Sequence, residues 1–357
     1  MPSTRRNVLK TVPAIALGGA GCVTVENHSS DEWTPDPDRL RWEYETEGRV
    51  RSSPIIYEDT LYVGSNDGNI RALDPTDGTL QWKFKTKGGI VSDPVLNQDT
   101  IYIGSKDNNL YAIDVDGNEQ WRYGADDNVR RHSGIVNDVL YAGSSDANIY
   151  AIDAASGEGR WAFETEGRVY ANPVVYDGTV YVGSTDYSLY ALDTHNGDVT
   201  WSYPTGGEIW SGVAIKENRV FLGSNDNYCY SLNRQDGSLR WNQKTDSYIS
   251  SAPVTWEDTV FIGNRTGTFY ALETATGDVR WTSDKPKGIV SYDPTVVDGI
   301  VYIGDRQGYL RAFDAETGDQ YWTFETGNVI QSTPLVTDDT IYFGSNDGYI
   351  YAITREP

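Results

Sequence analysis

Residues 191–201 are Ala-Leu-Asp-Thr-His-Asn-Gly-Asp-Val-Thr-Trp, a short apolar run joined to a tryptophan through a loop of turn-forming residues. The spacing Ala-x-Asp-x-x-x-Gly-x-x-x-Trp recurs at 72–82, 151–161 and 312–322, and at 271–281 with Glu273 in place of the aspartate. Aspartate and glycine at these positions favour a tight turn, because Asp side chains bond nearby backbone amides and Gly accepts positive φ. The motif therefore indicates a repeated strand–loop–strand unit.

Two series of residues recur with the same period. The intervals between the repeated tryptophans are 40, 39, 40, 40, 40, 40 and 41 residues. These tryptophans are Trp42, Trp82, Trp121, Trp161, Trp201, Trp241, Trp281 and Trp322. The glycines that end a short apolar run are Gly64, Gly104, Gly143, Gly183, Gly223, Gly263, Gly304 and Gly344. A period of about 40 residues is typical of a four-stranded propeller blade, so the sequence predicts an all-β, eight-bladed propeller with antiparallel blades.

The first and last strands of the repeat region complement each other. The segment 41–45 has the pattern of a fourth strand, whereas the last repeat finishes after a third strand at 349–353. We therefore expect the N-terminal strand to complete the last blade, which removes an exposed sheet edge. The predicted organisation is an export signal at 1–22, a polar tether at 23–39 and the propeller at 40–357.

The N-terminal segment has features of an export signal. Thr4-Arg5-Arg6-Asn7-Val8-Leu9-Lys10 resembles a twin-arginine signal, and the small residues before Cys22 resemble a lipobox. The prediction is a protein exported through Arg5 and Arg6, lipidated at Cys22 and held on the outer side of the cytoplasmic membrane. The alternative is a tail that carries these residues by chance.

The charge and cysteine content restrict the partners. The formal net charge of −23 disfavours nucleic acid and anionic lipid surfaces, which require clustered Lys and Arg. The acidic residues are dispersed along the sequence, as in proteins of salt-loving archaea, although an ordinary acidic secreted protein is the alternative. Beyond Cys22 the sequence contains only Cys229, so a disulfide within the propeller is excluded and Cys229 is expected to be buried.

The units resemble the PQQ-like propeller repeat family on the strength of the Ala-x-Asp-x-x-x-Gly-x-x-x-Trp motif. The resemblance implies that each tryptophan docks between neighbouring blades and is structural, not part of a ligand cage. The family includes lipid-anchored assembly factors, and also quinoprotein alcohol dehydrogenases that hold pyrroloquinoline quinone (PQQ) and Ca²⁺ over the channel mouth. Fold alone does not separate these functions.

Unequal residues at equivalent loop positions mark a candidate site. In a propeller the fourth-to-first and second-to-third strand connections surround the channel mouth, and here they carry cationic and aromatic residues. The candidates are Arg51, Arg130, Arg131, His132, Tyr170, Trp210, Arg265, Tyr292, Arg306 and Gln331. Such residues suit an anionic or planar ligand, or an acidic peptide. The alternative is that they fill the channel and pair with Asp93 and Asp293.

The sequence favours binding over catalysis. It lacks the adjacent cysteine pair of the quinoprotein dehydrogenases, and Asp93, Asn172 and Asp293 are too few and too scattered for the six to eight oxygens that Ca²⁺ takes. We therefore expect a monomeric, non-catalytic scaffold for a protein or peptide partner, without metal or cofactor. The alternatives are a small-ligand sensor and a PQQ- and Ca²⁺-dependent dehydrogenase. Two glycosylation sequons begin at Asn27 and at Asn264, the latter in a hairpin predicted to be exposed.

Overall fold

The computed structural model describes residues 36–284 and 293–356. Within them the chain forms eight four-stranded antiparallel sheets, which confirms the predicted eight-bladed β-propeller. The export signal with Arg5 and Arg6, Cys22, most of the tether, and Tyr292 lie outside the described residues. In the part of the chain that is described, no helix is long and apolar enough to span a membrane.

Each blade consists of four strands in consecutive order, except the last. A 3-10 turn at Pro37–Arg39 precedes β1 (Leu40–Glu45). Blade 1 comprises β2 (Ile55–Tyr57), β3 (Thr60–Gly64), β4 (Asn69–Leu73) and β5 (Leu80–Lys85). Blade 2 comprises β6 (Val95–Asn97), β7 (Thr100–Gly104), β8 (Asn109–Asp114) and β9 (Glu119–Gly124). Blade 3 comprises β10 (Val129–Val136), β11 (Val139–Ser144), β12 (Asn148–Asp153) and β13 (Gly159–Glu164). Blade 4 comprises β14 (Val174–Tyr176), β15 (Thr179–Gly183), β16 (Ser188–Asp193) and β17 (Val199–Pro204).

The second half of the ring follows the same plan. Blade 5 comprises β18 (Ala214–Lys216), β19 (Arg219–Gly223), β20 (Tyr228–Asn233) and β21 (Leu239–Lys244). Blade 6 comprises β22 (Val254–Trp256), β23 (Thr259–Gly263), β24 (Phe269–Glu273) and β25 (Val279–Ser283). Blade 7 comprises β26 (Thr295–Val297), β27 (Ile300–Gly304), β28 (Tyr309–Asp314) and β29 (Gln320–Glu325). Blade 8 comprises β30 (Leu335–Val336), β31 (Thr340–Gly344), β32 (Tyr349–Thr354) and β1.

The N-terminal strand closes the ring, as predicted. β1 pairs antiparallel with β32, with Trp42 opposite Ala352 and Tyr44 opposite Ile350. The Arg39 guanidinium adds a bond of 3.3 Å to the Thr354 carbonyl. Blade 8 is thus built from the first and last strands, and its third strand has no unpaired edge.

The repeated tryptophans lie where neighbouring blades meet. Trp161, on the outer strand of blade 3, donates from Nε1 to the Thr194 carbonyl of blade 4 at 3.0 Å, and its ring centroid lies 5.7 Å from that of Tyr141. Six other tryptophans make the same bond at 2.7 to 3.1 Å. Trp322 instead lies beneath the Arg39 guanidinium, 4.3 Å from the ring centroid.

The motif glycine makes this contact possible. Gly197 has a φ of +76°, and a Cβ on it would lie 2.7 Å from Cε3 of Trp161. The indole therefore packs directly on the glycine backbone, and the loop needs a residue without a side chain at a left-handed position. One residue type thus satisfies both the turn and the packing between blades.

Exposed acidic residues recur in the strand connections of one face of the propeller. Connections of antiparallel strands alternate between the two ends of a blade, so the first-to-second turns and third-to-fourth loops share a face, here called the turn face. Every first-to-second turn carries an acid: Glu58, Asp99, Asp138, Asp177, Glu217, Glu257, Asp298 and Asp339. Every third-to-fourth loop of blades 1 to 7 does too: Asp77, Asp116, Glu158, Asp198, Asp236, Asp278 and Asp319. The opposite face, with the fourth-to-first loops and second-to-third hairpins, is the mouth face.

Candidate functional site

Serine side chains fix the loops that surround the channel mouth. Ser92 accepts a hydrogen bond from the Gly104 amide at 2.8 Å and donates to the Gly104 carbonyl at 2.9 Å. Equivalent serines bond the second-strand glycine in three further blades. These bonds tie the segment that leads into the first strand to the second strand, so the residues on either side of the serine have a defined place at the mouth.

Partly buried carboxylates hold the hairpins of the mouth face. Asp107 accepts hydrogen bonds from the Lys87 amide at 2.8 Å and the Tyr111 hydroxyl at 2.7 Å. Burial opposes ionisation of Asp107, but its hydrogen bonds, led by that of Tyr111, lower its pKa below the ordinary value. Aspartates at the same hairpin position bond a Tyr or Arg four residues later in five other blades: Asp67, Asp146, Asp186, Asp226 and Asp347. These aspartates have a structural role.

Blades 6 and 7 place this carboxylate elsewhere. In blade 6 it is Asp246 of the preceding loop, which accepts from the Tyr270 hydroxyl at 2.8 Å. In blade 7 it is the fully buried Asp305, which accepts from Nε of Arg311 at 2.9 Å. The tips of these two hairpins carry Arg265, half-buried, and Arg306, exposed. Both predicted cations therefore lie on the mouth face.

The hairpin of blade 6 shows that the prediction for Asn264 was wrong. Asn264 of the second sequon is fully buried, not exposed as predicted. Its side-chain amide donates to Asp246, and its Oδ1 accepts from the Thr268 amide at 3.0 Å. Asn264 occupies the position that a buried serine holds in most blades, so a glycan cannot be attached without breaking the hairpin. The other sequon, at Asn27, lies outside the described residues.

Two predicted site residues meet where blades 8 and 1 adjoin. Nε of Arg51 donates to Oδ1 of Asn346 at 3.2 Å, and the Asn346 side-chain amide donates to Gln331 at 2.8 Å. The hairpin residue Asn346 thus joins Arg51 and Gln331 in one polar group. Asn346 was not among the sequence candidates, because asparagine is common at that hairpin position.

A second group forms across blades 4 and 5. The rings of Tyr170 and Trp210 meet edge to face, with centroids 5.8 Å apart and an interplanar angle of 77°. Arg168 donates to the Tyr170 hydroxyl at 2.8 Å, and Nε1 of Trp210 donates to Glu208 at 2.7 Å. Sequence reasoning found the rings but missed Arg168 and Glu208, each two positions before its ring in the same loop.

The remaining candidates are only partly described. Arg130, Arg131 and His132 lie on β10, an inner strand of 8 residues where the other inner strands have 2 or 3. β10 pairs with β11 on both sides of an irregularity between His132 and Ile135, and Ser133 stands here where most blades have a proline. The side chains of 130–133 and all of Tyr292 lie outside the described part of the structure, so their role stays a prediction.

The cavity at the channel mouth is small and polar. Its volume is about 20 Å³, room for one or two water molecules. It is lined by Ser53, Tyr170, Asn172, Trp210, Ser211, Gly212, Ser250, Asp293, Gln331 and Thr333. Residues from six of the eight blades therefore converge on this small space.

Only two of the three possible oxygen ligands reach the mouth cavity. Oδ1 of Asp93 accepts from the Ser53 amide at 2.6 Å, and Oδ1 of Asp293 accepts from the Ala252 amide at 2.7 Å, each in the preceding blade. Asn172 and Asp293 line the cavity, whereas Asp93 does not. No group of three or more His, Cys, Asp or Glu suited to a metal ion occurs within residues 36–284 and 293–356. Two oxygen side chains at one cavity are fewer than the six to eight oxygen ligands that Ca²⁺ takes.

Comparisons with known proteins agree with the propeller architecture. Residues 19–259 match the family model of the β-propeller of β-alanine-activating enzyme, and residues 285–356 match that of outer membrane protein assembly factor BamB. None of the curated proteins matches the chain.

Three similar solved structures belong to proteins with different roles. The computationally designed protein Ika8 has a TM-score of 0.79 at 17% identity, covering 88% of this chain and 99% of its own. BamB from Moraxella catarrhalis has a TM-score of 0.77 at 17% identity, covering 87% and 98%. A quinohemoprotein alcohol dehydrogenase from Pseudomonas putida has a TM-score of 0.73 at 14% identity, covering 88% and 75%. Identities this low indicate a shared fold and leave function to the site.

Proposed function

We propose that this chain, which belongs to the β-propeller family of β-alanine-activating enzyme within the PQQ-like repeat proteins, is a non-catalytic scaffold. It binds a protein or peptide partner through its mouth face. The observation that carries this proposal is the contrast between a mouth cavity of water size and a surrounding face of partly exposed Trp, Tyr and Arg residues. BamB, named as an assembly factor, shares this fold.

The small volume of the mouth cavity favours binding of a partner over the mouth face, in preference to binding of a ligand inside a pocket. Ligand sites in proteins enclose about 300 to 1,000 Å³, whereas the mouth cavity has about 20 Å³. Trp210, by contrast, keeps 38% of its surface exposed. Tyr, Trp and Arg are the residues most enriched at the energetic centres of protein interfaces. A partner that lies over the mouth can use these groups without opening the channel.

The N-terminal residues support a location for the protein. The location is the outer side of the cytoplasmic membrane, reached by the twin-arginine route through Arg5 and Arg6 and held by a lipid on Cys22.

The deciding experiment is crosslinking and partner identification in native membranes at native salt. The chain is compared with an Arg51→Ala, Trp210→Ala double variant and with Tyr321→Ala, whose residue is also 38% exposed but lies by the turn face. We expect the double variant to lose a specific partner and Tyr321→Ala to keep it. Equal recovery with all three chains would contradict the use of the mouth face.

Small-ligand binding at Arg130 and Arg131 is the alternative, supported by the paired rings of Tyr170 and Trp210 at the cavity rim. Thermal denaturation in the presence of small carboxylates and planar anions distinguishes it. A ligand-dependent rise in Tm that disappears in the Arg130→Ala, Arg131→Ala variant would favour a sensor over a scaffold.

A further inference from the structure

At three positions of the mouth-face loops, aromatic residues occur in only one part of the ring. Three positions are compared among the blades. Two are the residues just before and just after the buried apolar residue of each fourth-to-first loop, which is Ile209 in blade 5. The other is the third residue of each second-to-third hairpin, which is Tyr187 in blade 4. In the sequences of all eight blades these positions are aromatic only in blades 4 to 6, at Tyr170, Tyr187, Trp210 and Tyr248. Tyr187, Trp210 and Tyr248 are 50%, 38% and 49% exposed and are here called the aromatic arc.

Tyr187 is held in an unfavourable backbone conformation. Its φ is +77°. The equivalent residue is a glycine in four blades, at Gly68, Gly267, Gly308 and Gly348, and Asn or Ala in the other three. A bulky residue in the left-handed region costs stability, and strained residues of this kind cluster at functional sites. Because half of Tyr187 is exposed to solvent, packing of its ring offsets little of this strain.

The centre of the aromatic arc is suited to a cation. Glu208 is the only charged residue in the loop 205–213, and its carboxylate is 2.7 Å from Nε1 of Trp210. A guanidinium or ammonium group stacked on the indole can therefore reach the carboxylate at the ring edge, and tryptophan is the strongest of the aromatic residues in cation–π contacts. The net charge of −23 also steers basic partners towards the protein.

Arginines lie in the blades on either side of this centre. Arg168, in blade 4, donates to the Tyr170 hydroxyl at 2.8 Å, and the backbone amide of Arg265, in blade 6, donates to the Tyr248 carbonyl at 2.9 Å. The mouth-face loops of blades 4 and 6 also carry Glu166 and Asp246, so both signs of charge lie on either side of Glu208. This arrangement favours a segment with a basic residue at its centre and polar residues on either side.

We propose that the aromatic arc docks an extended segment of a partner protein, with a basic side chain stacked on Trp210 and paired with Glu208. This inference rests on the proposed scaffold function and adds the place on the mouth face and the chemistry of the partner. Tyr187 and Tyr248 flank the segment, on blades 4 and 6.

The test places a photo-crosslinking phenylalanine at Tyr187, at Tyr248 or, as the control, at Tyr321 by the turn face, in the full chain in native membranes. Mass spectrometry then maps the crosslinked residues of the partner. We expect crosslinks from positions 187 and 248 to one extended segment that contains Lys or Arg. Crosslinks from Arg306, probed in the same way on the mouth face of blade 7, but not from positions 187 and 248 would overturn the arc and leave the scaffold function standing. Crosslinks only from position 321 would overturn the mouth face as the docking surface. A partner absent at every position would overturn both.

Three variants test the chemistry on the identified segment, made as a synthetic peptide. Trp210→Ala is expected to weaken binding about 30-fold, as for an interface hot spot, and Glu208→Gln about fivefold. Tyr187→Gly is expected to weaken binding while the Tm stays equal or rises, which a merely structural role for Tyr187 would not produce. An acidic segment, or binding unchanged in both Trp210→Ala and Glu208→Gln, would overturn the assignment.

Discussion

The contact between Gly197 and Trp161 predicts a specific non-additivity. Gly197→Ala puts a side chain at a φ of +76° and 2.7 Å from the indole. The left-handed conformation costs about 1 kcal/mol, and displacing the packed indole adds about 1 to 3 kcal/mol. Gly178→Ala is the matched control, because Gly178 has a φ of +73° but the nearest atom to its added Cβ would be 4.0 Å away. It should lose only about 1 kcal/mol.

The second arm of the cycle removes the indole. Trp161→Ala should cost about 3 kcal/mol, at the lower end for a tryptophan because the ring is half-buried. In that background Gly197→Ala no longer meets the indole, so the double variant should lose about 4 kcal/mol, whereas simple addition predicts about 5 to 7 kcal/mol. Urea unfolding followed by near-ultraviolet circular dichroism measures all four chains. Additivity within about 0.5 kcal/mol would refute direct packing of Trp161 on Gly197.

Three further results are expected. Burial alone would raise the pKa of Asp67, but hydrogen bonds led by that of Arg71 lower it to about 2. The ionised Asp67 carboxylate stabilises the fold at pH values above its ordinary pKa, and this stabilisation is lost as the pH falls through about 2. Arg71→Met should therefore move the midpoint of acid unfolding to higher pH. An unchanged midpoint would contradict the pairing of Asp67 with Arg71. Burial raises the pKa of the fully enclosed Cys229 thiol, so Cys229 should react with a thiol reagent only after unfolding, and rapid labelling of the native chain would show an open path to it. Tyr187→Gly should raise the free energy of unfolding in urea by about 1 kcal/mol through relief of the left-handed backbone, and a loss of stability would show that the ring packs usefully.

The fold could be predicted from the sequence because each repeat contains residues that have the same structural role in nearly every blade. Trp82 and Gly117 fix a contact between blades, and the complementary segments at 41–45 and 349–353 fix the closure. The predicted segments 41–45 and 349–353 each differ by one residue from the observed strands Leu40–Glu45 and Tyr349–Thr354.

The candidate site was less predictable, because its members depend on contacts that the repeat does not specify. Tyr170 and Trp210 were identified as departures from the repeat, but Glu208 gains its role only through the bond to Trp210. Asn264 was placed wrongly because a sequon reports three residues and not their burial, and the carboxylate that encloses it comes from Asp246 in another loop. Spacing along the chain does not reveal such an exchange between loops.

The positions of the acidic residues on the surface were also not predictable from the sequence. They are dispersed along the sequence, yet the alternation of strand connections gathers many of them on the turn face, as Asp99 and Asp116 illustrate in blade 2. The net charge of the chain predicts which partners are disfavoured. The distribution of that charge over the surface, with exposed acidic residues on the turn face, becomes visible only in the folded structure.

The closure of blade 8 has a consequence for biosynthesis. β1 leaves the ribosome before any other strand of the propeller, but its partner β32 emerges after all the others. The N-terminal strand must therefore wait, unpaired, while the whole ring is translated, and the seam can close only once β32 has emerged. A stalled or truncated product that lacks Tyr349–Thr354 keeps this seam open, which offers proteases and quality-control factors a clear difference between a finished and an unfinished molecule.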